Sequence, residues 1–278
     1  MFKCDLHTHS ICSDGRFKPS EIIEMAKKRN LNYISLTDHD TLTGINEAIE
    51  ASEKLNINFI PGIELSTEYN GESIHVLGFF NKKNYNNPKL NNVLDELKEK
   101  RISRAYKIVE NLKKLHNIEL DINKVLSNGK DTIARPHIAK AIIDAGYNYD
   151  HEYIFKNFIG NNCPAYVPST KLSTIDGIKL LKEFNALVFL AHPILVKKTP
   201  IEELINLGFD GIEAIYYRNT ESDTNNLLKL AKEKNLYISC GSDCHGIPND
   251  MSHGNVGDVN IPKDDSIVSM LSWVLSFK

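Results

Sequence analysis

The sequence lacks the features that mark secreted and membrane proteins. Its five cysteines are an odd number without a CxxC pair, which predicts reduced thiols rather than a disulfide framework. No apolar run approaches the ~20 residues that span a bilayer. Two histidines and an aspartate occupy the first 12 residues, where a signal peptide needs an apolar core. We therefore expect a cytoplasmic protein that does not act at a membrane.

The chain also lacks a large excess of charge of either sign. Its 33 Lys and Arg residues face 36 Asp and Glu residues, and the net charge of −3 gives no global attraction to nucleic acid. The Lys-rich stretch at 98–101 is therefore predicted to be a solvated helix face, with an RNA-binding track as the alternative. Hydrophobic residues at 41% and charged residues at 25% are typical of globular proteins, and 278 residues suffice for one α/β barrel.

Strand and helix patterns alternate in two separate parts of the chain. Six or seven strand–helix units, before residue 80 and after residue 173, predict an α/β barrel with parallel strands and right-handed connections. Between them lie a long charged helix and short helical pieces without a strand pattern. We predict a barrel domain made of residues 1–82 and 166–278, and a helical insertion, residues 83–165, that covers the barrel mouth. A last helix is predicted at 264–277.

Six histidines and three carboxylates recur near the ends of predicted strands. They are His7, His9, Asp14, His39, Glu64, His75, His192, Asp243 and His245. Residues i and i+2 of a strand share a face, so His7 and His9 can reach one ion, and Asp243 and His245 repeat this spacing. Because the first and last strands of a closed barrel are neighbours, we expect the two pairs to meet. Mixed imidazole and carboxylate ligands suit zinc, manganese or iron better than magnesium or calcium.

The motifs around these residues resemble the PHP family, named for polymerase and histidinol phosphatase. The matching segments are DLHTHS (5–10), SDG (13–15), LTDHD (36–40), PGIE (61–64), IHVLG (74–78), AHP (191–193) and GSDCH (241–245). The segment ARPH (134–137) resembles the stand-alone bacterial branch that includes nucleoside 3′,5′-bisphosphate phosphatase and a related exoribonuclease. All the metal motifs of the family are present and in order.

The resemblance implies a distorted (β/α)7 barrel with two or three divalent ions of manganese, iron or zinc. It divides the nine residues into three ligand sets: His7, His9, Glu64 and Asp243; Glu64, His75 and His192; and Asp14, His39 and His245. It further implies a nucleophilic hydroxide held on the metals near Glu64, His192 and Asp243. We therefore expect a hydrolase that attacks phosphate esters directly, without a covalent enzyme intermediate.

The resemblance also implies a small phosphorylated substrate, either a nucleoside 3′,5′-bisphosphate or the 5′ end of a short RNA. Arg135 and His137 are the candidates for recognising it, since arginine binds phosphate bidentately. The alternative is that Arg135 caps a local helix. Arg16 and Arg218 follow predicted strands and are further candidates, with plain solvation as their alternative. Two other functions stay open: a histidinol-phosphate or phosphotyrosine phosphatase, and a metal-stabilised binding or regulatory module.

Several residues close to the motifs carry more ordinary predictions. Asp38 and Asp40 flank His39 and could orient its imidazole, while Asp40 could equally cap the following helix. Cys244 alternates with Asp243 and His245 along the chain, which predicts a core-packing role. Three histidines outside the motifs are predicted at the surface: His116, His151 and His253.

Overall fold

The computed structural model describes residues 3–129, 133–168, 170–259, 261 and 271. The chain divides into two compact units, one formed by Met1–Asn91 with Leu172–Lys278 and the other by Asn92–Lys171. The helix predicted at 264–277 lies outside the described residues, apart from residue 271. In the described part of the chain, no helix is long and apolar enough to cross a membrane.

The larger unit is built on one mixed sheet that nearly closes into a barrel. Its strands are β1 (Cys4–Asp5), β2 (Tyr33–Leu36), β3 (Asn58–Tyr69), β4 (Glu72–Phe79), β5 (Leu172–Ser173), β6 (Leu187–Leu190), β7 (Gly211–Tyr216) and β8 (Tyr237–Gly241). Their order is β1-β2-β3-β4-β6-β7-β8, with β5 paired to β3. Leu6 N donates to Cys240 O at 2.9 Å, which brings the first strand beside the last. The predicted barrel fold is confirmed.

One strand runs against the predicted direction. β4 is antiparallel to both β3 and β6, whereas the pairs β1–β2, β2–β3, β6–β7 and β7–β8 are parallel. The cause is the turn between β3 and β4, where φ is 50° at Asn70 and 74° at Gly71. A two-residue turn with positive φ at both positions closes a hairpin and leaves no room for a crossover helix. The prediction of an all-parallel barrel was therefore wrong at β4.

Helices follow most of the strands, as the alternating pattern predicts. They are α1 (Pro19–Lys28), α2 (Ile45–Leu55), α3 (Pro88–His116), α4 (Ile122–Gly129), α5 (Arg135–Asp144), α6 (His151–Ile154), α7 (Thr174–Glu183), α8 (Ile201–Ile205) and α9 (Glu221–Glu233). A proline in the first turn begins α1, and its apolar face buries Ile22 and Ile23. Cys244 packs in the same buried cluster, which confirms its predicted core role.

The smaller unit has a hydrophobic core of its own. Ile108 and Leu112 of α3 pack with Ile138 and Ile142 of α5 and with Phe158 of a following π-helical segment. Among its described residues there is no strand, in agreement with the prediction from sequence. Its placement over the barrel mouth stays a prediction.

Candidate metal centre

One buried carboxylate, Glu64, lies at the centre of the predicted ligand residues. Glu64 is in β3 and is 1% exposed. Its Oε2 atom lies 3.2, 3.1 and 3.1 Å from the nearest ring nitrogens of His7, His9 and His39. Its Oε1 atom lies 2.8 and 2.9 Å from ring nitrogens of His75 and His192. Five imidazoles from different parts of the chain therefore face one carboxylate.

Two further carboxylates extend the cluster on either side. Asp243 Oδ1 lies 3.4 Å from His7 Nε2 and 3.1 Å from His9 Nε2. Asp14 Oδ1 lies 3.2 Å from His245 Nε2, and Asp14 Oδ2 lies 3.7 Å from His39 Nε2. The structure thus brings all nine predicted ligand residues into one connected group.

The ends of β1 and β8 place the two short motifs against each other. Asp243 N donates to His7 O and His9 N donates to Cys244 O, both at 2.9 Å. Because residues two apart on an extended segment share a face, His7 and His9 turn toward the same side. Asp243 and His245 also turn toward each other, with His245 Nδ1 3.6 Å from Asp243 Oδ1. The two pairs meet here because the first and last strands are neighbours.

Two residues of the cluster have a left-handed backbone. The angle φ is 26° at His192 and 55° at Asp243, values that are uncommon for residues other than glycine. Such a conformation persists only where the surroundings hold it. His192 N donates to Glu213 Oε2 at 2.7 Å, and Asp243 N donates to His7 O. Both residues are therefore fixed by hydrogen bonds to groups of the centre or directly behind it.

Glu213 contacts the cluster from behind, and the sequence motifs do not identify it. It is fully buried in β7, next to an irregularity in the pairing of β7 with β8, and its Oε1 accepts a hydrogen bond from His7 Nδ1 at 2.9 Å. This bond leaves Nε2 of His7 facing Glu64 and Asp243. The available signal was a single glutamate inside the otherwise apolar run Gly211–Tyr216.

His253, predicted at the surface, is partly exposed and also lies beside the cluster. Its side chain is 27% exposed, and its Nε2 atom lies 3.8 Å from Asp243 Oδ2. Its ring centroid is 4.2 Å from that of His245. Of the other two histidines outside the motifs, His151 is exposed as predicted, whereas His116 is half-buried against Phe158.

The aspartates beside His39 accept hydrogen bonds from serines of neighbouring segments. Asp38 accepts hydrogen bonds from Ser10 N, Ser10 Oγ and Ser13 Oγ at 2.7, 2.6 and 2.5 Å, so it fixes the loop that carries Asp14. Asp40 accepts from Ser66 N and Ser66 Oγ, both at 2.8 Å. The helix-capping prediction for Asp40 was wrong, because α2 has residue 44 as its N-cap.

Burial and neighbouring charges shift the pKa values of the acids and bases of the centre in opposite directions. Burial raises the pKa of Glu64, but the neighbouring histidines, His39 and His7 foremost, hold that pKa well below its usual range. Burial likewise opposes ionisation of Asp243, whose pKa is nevertheless lowered by His7 and His9. Burial lowers the pKa of His9, but Asp243 and Glu64 raise it to about 10. The clustered carboxylates therefore stabilise positive charge that lies between them.

The donor atoms fit divalent metal ions. In the part of the chain that the structure describes, three buried atoms of the centre have no hydrogen-bond partner: His9 Nδ1, His39 Nδ1 and Glu64 Oε2. Such atoms are costly to bury unless a ligand satisfies them. Among the described residues, ligand atoms within 4.8 Å of one another occur in four overlapping sets: His7, His9, Glu64 and Asp243; His9, Asp14, His39 and His245; His39, Glu64 and His75; and Asp243, His245 and His253. Imidazole mixed with carboxylate is the ligand chemistry of zinc, manganese and iron.

The predicted substrate-binding residues lie in both units. In the smaller unit, Arg135 begins α5 and donates to Ile159 O at 3.2 Å and Asn161 Oδ1 at 2.9 Å. His137 Nδ1 accepts from Ala134 N at 3.0 Å. These bonds give both residues a local structural role, and their recognition of substrate stays a prediction.

The other two candidate residues are in the larger unit. Arg16 and Arg218 are both exposed, and Arg16 N donates to His245 O at 2.9 Å. Arg16 therefore follows the Asp14 loop directly beside the cluster, and Arg218 follows the end of β7. Their contact with phosphate likewise stays a prediction.

Comparison with known proteins indicates one protein family and two similar enzymes. The profile of the PHP domain family matches residues 5–157. The chain is 32% identical over 251 residues to the 5′-3′ exoribonuclease of Haemophilus influenzae, which covers 87% of this chain and 90% of that protein. It is 29% identical over 252 residues to the 3′,5′-nucleoside bisphosphate phosphatase of Chromobacterium violaceum, covering 88% of each.

Structural similarity extends over nearly the whole chain. The crystal structure of a protein from Bifidobacterium adolescentis, described as a metal-dependent phosphoesterase, superposes with a TM-score of 0.75 at 27% identity. The superposition covers 98% of this chain and 96% of that chain. Sequence similarity and structural similarity therefore both indicate relatives that act on phosphate esters.

Proposed function

This chain belongs to the PHP family of metal-dependent phosphoesterases, and from that premise we propose that it hydrolyses phosphate esters of small nucleotides or of short RNA 5′ ends. The observation that carries the proposal is the convergence of five imidazoles on Glu64, with Asp14 and Asp243 at either side. The names of its relatives, an exoribonuclease and a nucleoside bisphosphate phosphatase, support nucleotides as the substrate class.

We propose that the nine clustered residues hold two or three ions of manganese, iron or zinc. His7, His9, Glu64 and Asp243 would hold one ion, and their ligand atoms lie within 4.8 Å of one another. Glu64 would share a second ion with His75 and His192, which both contact its Oε1. Asp14, His39 and His245 would hold the third, in a set that His9 also approaches.

Bound divalent ions lower the pKa of water from 15.7 to about 7 and so supply hydroxide at neutral pH. Hydrolysis would form a bond from a water oxygen to phosphorus and break the ester P–O bond, with one proton of the water passing to the leaving oxygen. The products would be phosphate and an alcohol from a bisphosphate, and a nucleoside monophosphate and a shortened RNA from an RNA 5′ end. The residues of the chain contribute position and charge. Glu64, His192 and Asp243 surround the place of attack that we propose, and Glu213 fixes His7 and His192 from behind.

Differences in exposure suggest where the substrate enters. His7, His9 and Glu64 are almost completely buried, whereas the side chains of Asp14 and His75 are 30% and 24% exposed. We infer that the phosphate approaches from the edge that Asp14 and His75 form. Arg16, exposed two residues after Asp14, is well placed to attract the anion there, and Arg135 and His137 stay candidates for substrate recognition.

The experiment that tests this function measures the release of inorganic phosphate and of nucleoside monophosphate from a panel of three substrates by manganese-loaded protein. The panel contains adenosine 3′,5′-bisphosphate, a 5′-phosphorylated oligoribonucleotide and histidinol phosphate, each with a chelator-treated control. We expect metal-dependent hydrolysis with a preference for the first two. A preference for histidinol phosphate would overturn the substrate assignment, and no release with manganese, iron or zinc would favour a binding module.

A further inference from the structure

The loop after the last ligand motif returns to the metal centre. It begins at Gly246, where φ is 67°, and it ends at Gly254, whose N donates to Ser242 O at 2.8 Å. A side chain at either glycine would collide with an aromatic ring, since an added Cβ would lie 2.3 Å from Phe17 and 2.8 Å from Tyr217. This close approach brings His253 beside Asp243, ten positions earlier in the sequence.

Asp250 holds the imidazole of His253 from the side away from the centre. Its Oδ2 accepts a hydrogen bond from His253 Nδ1. Because a carboxylate only accepts hydrogen bonds, Nδ1 carries the proton, and Nε2 of a neutral ring presents its lone pair. A carboxylate behind a histidine is the usual arrangement for metal-ligating imidazoles, since it fixes the tautomer and raises the basicity of the ligand atom.

The free nitrogen of His253 faces another acceptor. Nε2 lies 3.8 Å from Asp243 Oδ2, which is too long for a hydrogen bond. Two ligands of one tetrahedral ion are separated by roughly 3.4 Å when each bond is about 2.0–2.2 Å long. The observed separation is thus close to that of two atoms on a shared cation, and a lone pair facing a carboxylate is unfavourable without positive charge between them.

We propose that His253 is a metal ligand, which together with Asp243 and His245 holds a divalent transition-metal ion at the edge of the centre, the same third ion for which Asp14 and His39 are proposed as ligands, so the total stays at two or three ions. Ligand atoms of these three residues lie within 4.8 Å of one another. Two imidazoles and one carboxylate suit zinc, manganese or iron. The inference rests on the proposed function only in requiring that the centre bind metal at all, and it adds a tenth residue to the nine that the sequence motifs identify.

The test measures metal binding by the full-length chain and does not depend on catalysis. Metal-free protein is titrated with Mn²⁺ and with Zn²⁺ in a calorimeter, and ions retained after gel filtration are counted by mass spectrometry. The variants are His253→Gln and Asp250→Asn, with His151→Gln in the exposed part of α6 as the matched control. Asp250→Asn leaves His253 in place, so it tests the same site if His253→Gln fails to fold.

We expect His253→Gln to lose one retained ion or to weaken one binding step at least roughly tenfold, and Asp250→Asn to weaken the same step. His151→Gln should bind metal like the wild type. Unchanged stoichiometry and affinity in folded His253→Gln would overturn the proposal and would indicate an imidazolium between two carboxylates instead. A wild-type chain that retains no ion would overturn the proposed function as well, so the two failures are distinguishable.

Discussion

Replacement of Glu213 by glutamine tests whether a buried residue behind the centre controls its metal affinity. The carboxylate of Glu213 accepts from His7 Nδ1 at 2.9 Å through one oxygen and from His192 N at 2.7 Å through the other. Glutamine keeps the size of the side chain but offers a single acceptor. Its NH₂ group must therefore face one of the two N–H donors, so one hydrogen bond is lost.

The size of the effect follows from the lost bond. A hydrogen bond to a charged group contributes about 1.5–3 kcal/mol, and a loss of about 2 kcal/mol corresponds to roughly 30-fold in binding. This value lies inside the roughly 10- to 100-fold range for loss of groups that orient metal ligands. We therefore expect Glu213→Gln to bind Mn²⁺ roughly 30-fold more weakly than the wild type, with a matching loss of phosphatase activity at limiting metal.

The assay is calorimetric titration of metal-free protein with Mn²⁺, accompanied by a thermal melt to verify folding. Glu183→Gln, at the exposed end of α7, is the matched control and should behave like the wild type. If folded Glu213→Gln binds Mn²⁺ within twofold of the wild type, the orienting role assigned to Glu213 is refuted.

Three further substitutions have distinct expected outcomes. His192→Ala should remove one ion and nearly all activity while leaving the fold intact; full activity with unchanged metal content would contradict the ligand assignment. Gly241→Ala should destabilise the fold by about 1–3 kcal/mol and impair metal retention, because an added Cβ would lie 2.1 Å from His7 Cβ and 2.4 Å from Glu213 Oε1. A thermal melt and metal analysis check this, and wild-type behaviour in both would refute the crowding at Gly241. Arg135→Ala should raise KM for phosphorylated substrates about tenfold or more with metal content unchanged. The measurement is steady-state kinetics, with Lys140→Ala from the same helix as the control. An unaltered KM in Arg135→Ala would show that Arg135 has a structural role only.

The sequence predicts the barrel and the cluster because both depend on regular spacing. His7 with His9, and Asp243 with His245, are each two residues apart at the ends of strands that a closed barrel makes neighbours, although the backbone at Asp243 is left-handed rather than extended. Their convergence needs no knowledge of side-chain packing. The direction of β4 was available in the Asn70-Gly71 turn, which requires a hairpin.

The positions of the residues behind and beside the cluster depend on tertiary contacts, which the spacing of residues in the sequence does not show. Glu213 stands alone in an apolar strand, and its partners are 206 and 21 positions away in the sequence. His253 reaches Asp243 only because its loop is folded back by close contacts at Gly246 and Gly254. Such tertiary contacts follow from the path of the loop, which local patterns of residues do not specify.

Glu64 provides the most direct test of the central claim, which is that one buried carboxylate organises a metal centre for phosphoester hydrolysis. The measurement is metal content and phosphate release for wild type and Glu64→Gln, side by side, after loading with manganese. We expect two or three retained ions and hydrolysis in the wild type, and loss of at least one ion together with activity in Glu64→Gln. Equal metal content and equal phosphate release in a folded Glu64→Gln would contradict the claim.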